Sequence, residues 1–390
     1  MKFLMYGAGS IGRGFIGPLF AHAGYEVVFI DIDRAVINAF NDRKSYHYTI
    51  AADPPYDVPV DKVCCIDGLD TQAVLEQIAS CDLMATSLGA DVLQKLAPVI
   101  AQGFALRMKR SAKPLDIIIC ENLKNSAEIL RSWMAEALQP EDKALLNKNC
   151  GLVEAAIGRM VPLTSPDADD PLHVTVEEYS FLPVDKDAFM GELPKVKGLV
   201  PHSPFAFYEE RKLYLHNMGH AICAYLGKLQ GHETISQAIQ DFSIRFFVQN
   251  AMTESSAMLS AKYSVPFNKI FDHTEDLLLR FGNKALGDTC LRVTRDPLRK
   301  LQSGDRLAGA MEQCAKLGIN PVYIALGYAA ALRSVTDDAK QAAAICRETG
   351  GLSKNLAELV DKLFLATNLP PQELLKVVEC MKKELRGDIV

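Results

Sequence analysis

A glycine-rich turn near the N-terminus constrains the fold more than any other feature of this sequence. It follows the apolar segment from Phe3 to Tyr6, precedes a helical pattern, and consists of Gly7, Ala8, Gly9, Ser10, Ile11 and Gly12. In such a turn the first glycine permits the tight bend, the second lets the backbone approach a phosphate, and the third lets the helix pack closely on the strand. The helix N-terminus then faces the anion. The segment therefore predicts a strand-turn-helix unit that binds a dinucleotide; a glycine turn without a ligand is the alternative.

An acidic residue at the end of the second apolar segment indicates which dinucleotide to expect. The apolar segment Val27 to Ile30 ends directly before Asp31, which lies about 20 residues beyond the turn. An acid there accepts hydrogen bonds from ribose hydroxyls and repels a 2′-phosphate. We therefore expect NAD as the cofactor, bound by the glycine turn, Asp31 and Ser87; Arg34 is the one nearby residue that favours NADP.

The order of apolar and helical segments predicts the fold class. Buried strands are expected over 3–6, 27–30, 83–87 and 117–120, and helices over 14–23, 35–41, 71–80 and 91–102. This alternation predicts a parallel sheet with helices on both faces. A β-branched and aromatic stretch over 171–189 predicts a hairpin or added antiparallel strands, and 194–204 is expected to be a linker.

Helical periodicity dominates the rest of the chain, from Glu209 to Leu385. With 390 residues, of which 49% are hydrophobic, two domains are expected. We predict an α/β Rossmann-type NAD-binding domain with added antiparallel strands over 1–195. A mainly α-helical substrate and catalytic domain is expected over 196–390.

Charge and hydropathy exclude several classes of partner. The net charge of −6 provides no basic excess for nucleic acid. The N-terminus lacks the pattern of a signal peptide, and the longest apolar run, Tyr323 to Leu332, is too short to span a bilayer. We therefore expect a cytoplasmic protein, a monomer or homodimer, that binds a small molecule rather than a membrane.

Three polar residues lie near one another on a predicted helix. Lys212, Asn217 and His220 fall at about 0°, 140° and 80° around an α-helical axis. Side chains lean toward the helix N-terminus, so Asn217 and His220 tilt toward Lys212. On spacing alone, a solvated lysine beside a capped asparagine and a packed histidine is the more frequent arrangement.

The pattern Lys-x4-Asn-x2-His resembles the signature of the polyol-specific long-chain dehydrogenases, the mannitol dehydrogenase family. The resemblance extends over almost the whole chain. The segments Tyr6 to Gly17, Gly219 to Gly227 and Arg295 to Leu301 are most similar to the mannitol-1-phosphate 5-dehydrogenase branch. This implies an NAD-dependent enzyme that interconverts a sugar alcohol phosphate and a ketose phosphate, with mannitol 1-phosphate and fructose 6-phosphate or close analogues as the pair.

The resemblance also implies roles for individual residues. Lys212 is the expected general base for the alcohol proton, Asn217 and Asn122 hold the developing alkoxide, and His220 orients the site. Removal of the hydroxyl proton and donors around the oxygen are what hydride loss from a secondary carbon requires. No metal is expected, because the His and Cys residues lack the spacing of a catalytic metal site.

A second group is basic and lies within fifteen positions: Arg292, Arg295, Arg299, Lys300 and Arg306. In relatives, residues that match Arg292 and Lys300 contact polyol hydroxyls. We expect Arg295 and Arg299 to bind the substrate phosphate, because a guanidinium fork binds phosphate bidentately. A solvated basic face is the alternative.

One position departs from the family pattern and leaves the substrate open. Where close relatives have Val-Asp-Arg-Ile, with the acid in contact with substrate, this chain has Ile157-Gly158-Arg159-Met160. Two alternatives therefore stand beside the phosphorylated substrate. One is a dehydrogenase of an unphosphorylated hexitol or hexuronate in the same family, and the other is a non-catalytic NAD-binding regulatory protein.

Overall fold

The structure is a computed structural model that describes residues 1–111, 113–161 and 170–386. The chain forms two compact units, Met1–Ala206 and Phe207–Val390. No helix in the described part of the chain is long and apolar enough to cross a membrane.

The first unit combines a parallel sheet with flanking helices and added strands. Its strands are β1 (Lys2–Tyr6), β2 (Glu26–Asp31), β3 (Ser45–Ile50), β4 (Tyr56–Asp61), β5 (Val63–Asp67), β6 (Leu83–Thr86), β7 (Leu115–Ile119), β8 (Cys150–Glu154), β9 (Thr175–Val176), β10 (Leu182–Asp185) and β11 (Leu199–His202). Its helices are α1 (Gly17–His22), α2 (Arg34–Arg43), α3 (Thr71–Ser80), α4 (Ala90–Arg110), α5 (Ser126–Glu136) and α6 (Pro140–Asn149). A π-helical turn, Gly12–Ile16, leads into α1.

The main sheet has the strand order β5-β2-β1-β6-β7-β8, and its neighbouring strands are all parallel. From β1 the chain builds one side of the sheet and then returns to build the other, so the order reverses between β1 and β6. Ligands of open parallel sheets bind at such a reversal, beyond the carboxyl ends of the strands. The glycine turn follows β1 and Ser87 follows β6, so both lie at this crevice.

The sheet is buried on both faces, which explains why its strands are continuous apolar runs. Phe3 and Met5 project into one core, while Leu4 and Tyr6 project into the other. Successive strand residues point to opposite faces, so helices must cover both sides. The two cores hold β1, and therefore the start of the glycine turn, in a fixed position.

The added strands lie outside the main sheet, and their position corrects one prediction. The antiparallel hairpin is formed by β3 and β4, and β9 joins β3 in parallel. Strand β10 pairs in parallel with β11, which lies within the stretch predicted as a linker. The prediction of a hairpin over 171–189 is wrong: in the described chain β9 pairs with β3 and β10 with β11, both in parallel, and the antiparallel contact of this stretch is a single bridge between Ala155 and Val184.

The second unit is mainly helical, which confirms the predicted fold class. Its helices are α7 (Ala206–Glu210), α8 (Met218–Leu229), α9 (Ile235–Gln240), α10 (Phe242–Tyr263), α11 (Phe267–Phe281), α12 (Cys290–Val293), α13 (Pro297–Lys300), α14 (Ala308–Lys316), α15 (Val322–Arg333), α16 (Ala339–Glu348), α17 (Lys354–Ala366) and α18 (Pro371–Arg386). A π-helical turn, Arg211–Asn217, joins α7 to α8. Helix α8 packs closely on α10, since a Cβ at Gly219 would lie 2.6 Å from Met252 Sδ.

Candidate functional site

The glycine turn has the geometry that a bound phosphate requires. Gly7 has a φ of +104°, and a Cβ there would lie 2.3 Å from Ser87 O. A Cβ at Gly12 would lie 2.2 Å from Gly7 O. At Gly9, by contrast, the Cβ position has no atom of the described residues within 4 Å, so the backbone is open to an approaching anion. The turn therefore fits the pyrophosphate of a dinucleotide.

Asp31 lies directly beside this turn, at the carboxyl end of β2. Its Oδ2 atom accepts a hydrogen bond of 2.8 Å from the Ala8 backbone N–H. Its Oδ1 atom accepts one of 2.8 Å from the Ile32 backbone N–H. The structure thus brings the acid and the glycine turn together at the crevice, in the position where a ribose hydroxyl would meet a carboxylate.

The loop after β6 is held by a residue whose role the sequence analysis missed. Glu121 is 6% exposed, and its carboxylate accepts hydrogen bonds from the backbone N–H groups of Leu88 (2.9 Å) and Gly89 (2.7 Å). It therefore fixes the loop that begins with Ser87. Asn122, the next residue, is exposed at the carboxyl end of β7. The available signal was an acid directly after a buried strand.

Lys212 and Asn217 lie in a π-helical turn rather than in the regular α-helix assumed above. A π-helical turn pairs residues five positions apart, so the α-helical angle between Lys212 and Asn217 does not apply, and they lie one turn apart on the same side. The buried Ser255 hydroxyl donates a hydrogen bond of 2.6 Å to the Tyr214 carbonyl within the turn. This contact inserts a side chain into the helical ladder, a known cause of such distortions. π-Helical turns are frequent at functional sites.

One side chain of this turn, His216, is buried close to several cations. His216 is 8% exposed, and its ring centroid lies 5.9 Å from that of Phe281 and 6.3 Å from that of His220. Burial, followed by the nearby Arg280 and other cations that include Lys212, lowers the pKa of His216 well below its usual value. His216 is therefore neutral, and this environment disfavours additional positive charge.

His220 and Arg292 meet at one carboxylate. The His220 ring stacks on Phe281 with centroids 5.1 Å apart, and its Nε2 lies 2.9 Å from Asp288 Oδ2, at an angle poor for a hydrogen bond. Arg292 Nε donates a hydrogen bond of 2.7 Å to Asp288 Oδ1, and Arg292 Nη2 also lies 2.7 Å from that oxygen. Burial opposes ionisation of Asp288, but His220 and Arg292 outweigh it and lower its pKa to about 2. The Asp288 carboxylate thus lies between His220, predicted as a catalytic residue, and Arg292, predicted as a substrate-binding residue.

The other cations of the second group occupy different environments. Lys300 is 5% exposed, and burial, together with Arg306 and Arg299, lowers its pKa to about 8. Arg306 Nε and Arg299 Nη1 lie 2.8 Å and 3.5 Å from the two carboxylate oxygens of Asp305. Arg295 is exposed, and within the described chain its guanidinium has no ion-pair partner. Lys300 is therefore built into the interior, whereas Arg295 and Arg299 are at the surface.

Arg299 lines a surface pocket near the C-terminal end of α15. The pocket is lined by Asp296, Pro297, Leu298, Arg299, Ser334 and Val335. Lys212, Asn217 and His220 do not line it. The structure therefore brings His220 together with Arg292, and places Arg299 at a pocket of its own.

Two family models match this chain: the mannitol dehydrogenase Rossmann domain over residues 1–198 and the mannitol dehydrogenase C-terminal domain over residues 205–388. Mannitol 2-dehydrogenase from Pseudomonas fluorescens, solved as a ternary complex with NAD and D-mannitol, has a TM-score of 0.75 and 14% identity, covering 98% of this chain and 94% of that chain. A D-sorbitol dehydrogenase in substrate-free form has a TM-score of 0.75 and 17% identity, covering 100% of this chain and 93% of that chain. At these identities the solved structures show a shared fold, and the two domain models, which match both halves, show that the chain belongs to the mannitol dehydrogenase family.

Proposed function

We propose that this protein is an NAD-dependent polyol-phosphate dehydrogenase. It interconverts a sugar alcohol phosphate and a ketose phosphate, with mannitol 1-phosphate and fructose 6-phosphate or a close analogue as the pair. The observation that carries the proposal is the basic group of the second unit, in which Arg292, bound to Asp288, and the buried Lys300 lie on either side of Arg295 in the sequence. The charge of Arg295 is not offset by an acid of the described chain. Such a group suits a substrate with both hydroxyls and a phosphate.

The cofactor is NAD, as expected for this family and as present in the Pseudomonas fluorescens enzyme complex. The open backbone at Gly9 suits its pyrophosphate, and Asp31 suits the adenosine ribose. When bound, NAD accepts the hydride from the secondary alcohol carbon. The protein's contribution is to bind and orient the substrate and to remove its hydroxyl proton.

Lys212 is the proposed general base. Its Nζ amine takes the hydroxyl proton, while the side-chain amides of Asn217 and Asn122 donate hydrogen bonds to the oxygen as negative charge develops. His220 orients the site. A lysine acts as a base in its uncharged form, and Lys212 is half-buried in the π-helical turn, which limits its exposure to water. Among residues 1–111, 113–161 and 170–386, no group of three or more His, Cys, Asp or Glu side chains could hold a metal. We propose that side chains, rather than a metal ion, remove the hydroxyl proton and stabilise the developing charge.

Arg295 and Arg299 are the proposed phosphate-binding residues. Gly158 bears on which phosphate ester is preferred. A Cβ at Gly158 would lie 3.1 Å from Tyr179 Cε1, so the Tyr179 ring lies beside the position where relatives carry an acid. A substrate hydroxyl that would contact a carboxylate in relatives has no carboxylate at position 158 here. A close analogue of mannitol 1-phosphate therefore stands beside mannitol 1-phosphate as a candidate substrate.

Two observations support an alternative, in which the substrate is not phosphorylated. The two structural neighbours are named for mannitol and sorbitol, and Arg299 lines a pocket that the proposed catalytic residues do not share. A dehydrogenase of a free hexitol or hexuronate would leave the surface arginines solvated. A non-catalytic NAD-binding regulatory protein is the third candidate, but it leaves the combination of Lys212, Asn217 and His220 without a role.

A substrate screen separates the three candidates. NADH oxidation is measured with fructose 6-phosphate, fructose and several ketouronates. The proposal predicts the highest kcat/KM for a phosphorylated ketose. A preference for fructose or a ketouronate would show that the protein is a dehydrogenase of an unphosphorylated substrate. NADH binding without turnover of any ketose would favour the non-catalytic regulatory protein.

A further inference from the structure

We infer that Asp288 is a positioning residue that couples His220, a proposed catalytic residue, to Arg292, a proposed substrate-binding residue. The inference rests on the proposed function and extends it to a residue with neither of those roles. Each carboxylate oxygen has its own partner: Oδ2 lies 2.9 Å from His220 Nε2, and Oδ1 lies 2.7 Å from Arg292 Nε. A single side chain therefore sets the distance between two parts of the site.

Backbone hydrogen bonds hold the segment that carries this carboxylate. The Asp288 carbonyl accepts a hydrogen bond of 2.9 Å from the Ile235 N–H, and the Cys290 N–H donates one of 2.9 Å to the Glu233 carbonyl. An antiparallel bridge between Thr234 and Thr289 lies between these bonds. The segment is thus held against the start of α9, which fixes the backbone position from which the carboxylate extends.

The local sequence places Arg292 one helical turn from Asp288. The Thr289 hydroxyl caps α12 by accepting a hydrogen bond of 3.2 Å from the Arg292 N–H. Residues four apart on such a turn are neighbours, so the guanidinium reaches back to the carboxylate. Arg292 Nε and Nη2 both face Asp288, and a guanidinium has five N–H donors, so donors remain for a substrate oxygen.

The arrangement has a consequence for substrate geometry. The face of the His220 ring stacks on Phe281, and its Nε2 edge lies 2.9 Å from Asp288 Oδ2. A substrate hydroxyl that binds the remaining donors of Arg292 is consequently held at a defined distance from the imidazole. Removing the Asp288 charge releases Arg292 and His220 independently, so binding and orientation are both lost.

The test compares Asp288→Asn with a matched control, Asp276→Asn. Asp276 also lies between a histidine and an arginine, with Oδ2 3.9 Å from His273 Nδ1 and 3.4 Å from Arg280 Nη1. We expect Asp288→Asn to lower kcat/KM for the preferred polyol by about 10- to 100-fold, in the range of coupling between contacting polar groups. NADH affinity and Tm stay near wild type, and Asp276→Asn keeps wild-type kcat/KM. Equal kcat/KM in the two variants would overturn the inference.

A double-mutant cycle tests the coupling itself and keeps the inference falsifiable if Asp288→Asn does not fold. With Asp288 present, the effects of His220→Asn and Arg292→Ala on kcat/KM are expected to be non-additive by about tenfold. In the Asp288→Asn background they become additive. Additive effects with Asp288 present would show that it does not link the two residues.

A readout without turnover separates this inference from the proposed function. Histidine side-chain NMR of the full chain identifies the His220 ring signal by its loss in His220→Asn. That signal is expected to move in Asp288→Asn and to stay unchanged in Asp276→Asn. A wild-type protein that reduces no ketose would overturn the proposed function, whereas an unmoved His220 signal in Asp288→Asn would overturn the Asp288 inference whatever the activity.

Discussion

Arg34 forms an ion pair with Asp67, in which Arg34 Nη2 and Asp67 Oδ2 lie 2.7 Å apart. Arg34 is the residue whose charge would attract the 2′-phosphate of NADP, and the pair offsets that charge. Asp67 is also the parallel partner of Asp31 across β2 and β5. Two carboxylates therefore lie at the carboxyl end of the sheet, and both disfavour a 2′-phosphate.

The first prediction concerns this cofactor preference. NADH is expected to bind more tightly than NADPH, and Asp31→Ala is expected to narrow the difference, because it removes both the ribose hydrogen bonds and the repulsion. Asp67→Ala should narrow it too, by releasing Arg34, while leaving NADH affinity nearly unchanged. Fluorescence titration with both nucleotides gives the two affinities. Equal or reversed affinities in the wild type would contradict the role given to Asp31.

The second prediction concerns the proposed base. Lys212→Ala is expected to lower kcat by about two to four orders of magnitude, the usual contribution of general acid–base catalysis, with NADH affinity near wild type. Lys262→Ala is the control, because Lys262 Nζ forms a partly exposed ion pair with Glu210 Oε1 at 2.8 Å. Steady-state kinetics and nucleotide titration provide the readout. Near-normal turnover of Lys212→Ala would show that Lys212 is not the general base.

The third prediction orders the two surface arginines. Arg295→Ala is expected to lower kcat/KM for the phosphorylated ketose more than Arg299→Ala, because Arg299 already shares Asp305 with Arg306. Each charge-assisted hydrogen bond contributes roughly 1.5–3 kcal/mol. The free ketose is the internal control and should lose little. If both substrates decline together, the arginines support the fold or the polyol contacts; if neither declines, they are solvated.

The fourth prediction separates stability from function at Lys300. Its pKa of about 8 lies below the ordinary 10.5, so between these values the unfolded chain binds more protons than the folded one. The free energy of unfolding of the wild type should therefore gain from this group as pH rises from about 8 to 10.5. Lys300→Met removes the buried charge and is expected to raise the free energy of unfolding at pH 7 by about 1–3 kcal/mol, with loss of polyol affinity.

Urea unfolding of the wild type and Lys300→Met at pH 7 and pH 9.5 measures this difference. The stability gap should narrow at the higher pH, since Lys300 is then mostly neutral in the folded state and only the smaller cost of deprotonating it from the unfolded chain remains. A Lys300→Met protein that is less stable than wild type at pH 7 would show that the lysine stabilises the fold.

Local sequence determines some elements fully. Helix α3 was predicted over 71–80 and begins and ends there, because Asp70 caps its first turn by accepting a hydrogen bond of 3.0 Å from the Ala73 N–H. The glycine turn was likewise readable, since the spacing of its glycines between a strand and a helix is a local pattern. The close contact that requires a glycine at position 7 is not local, because it involves Ser87 O.

Other features depend on contacts between distant residues. The β3–β4 hairpin was not predicted, and the π-helical turn depends on Ser255, which lies 41 positions from Tyr214. Asp288 gave no local signal, because its role depends on the contact with His220, which lies on α8 and is 68 positions away in the sequence. The residues proposed for catalysis were found through a family pattern, whereas the carboxylate between two of them required the fold.

Reduction of a phosphorylated ketose with NADH is tested by a comparison of paired substrates. The kcat/KM of the wild type is measured for each phosphorylated ketose and its free counterpart, beginning with fructose 6-phosphate and fructose. We expect the phosphorylated member to be favoured by several orders of magnitude in at least one pair, because two or more charge-assisted hydrogen bonds of roughly 1.5–3 kcal/mol each would hold the phosphate. A free ketose or ketouronate favoured in every pair would contradict this expectation.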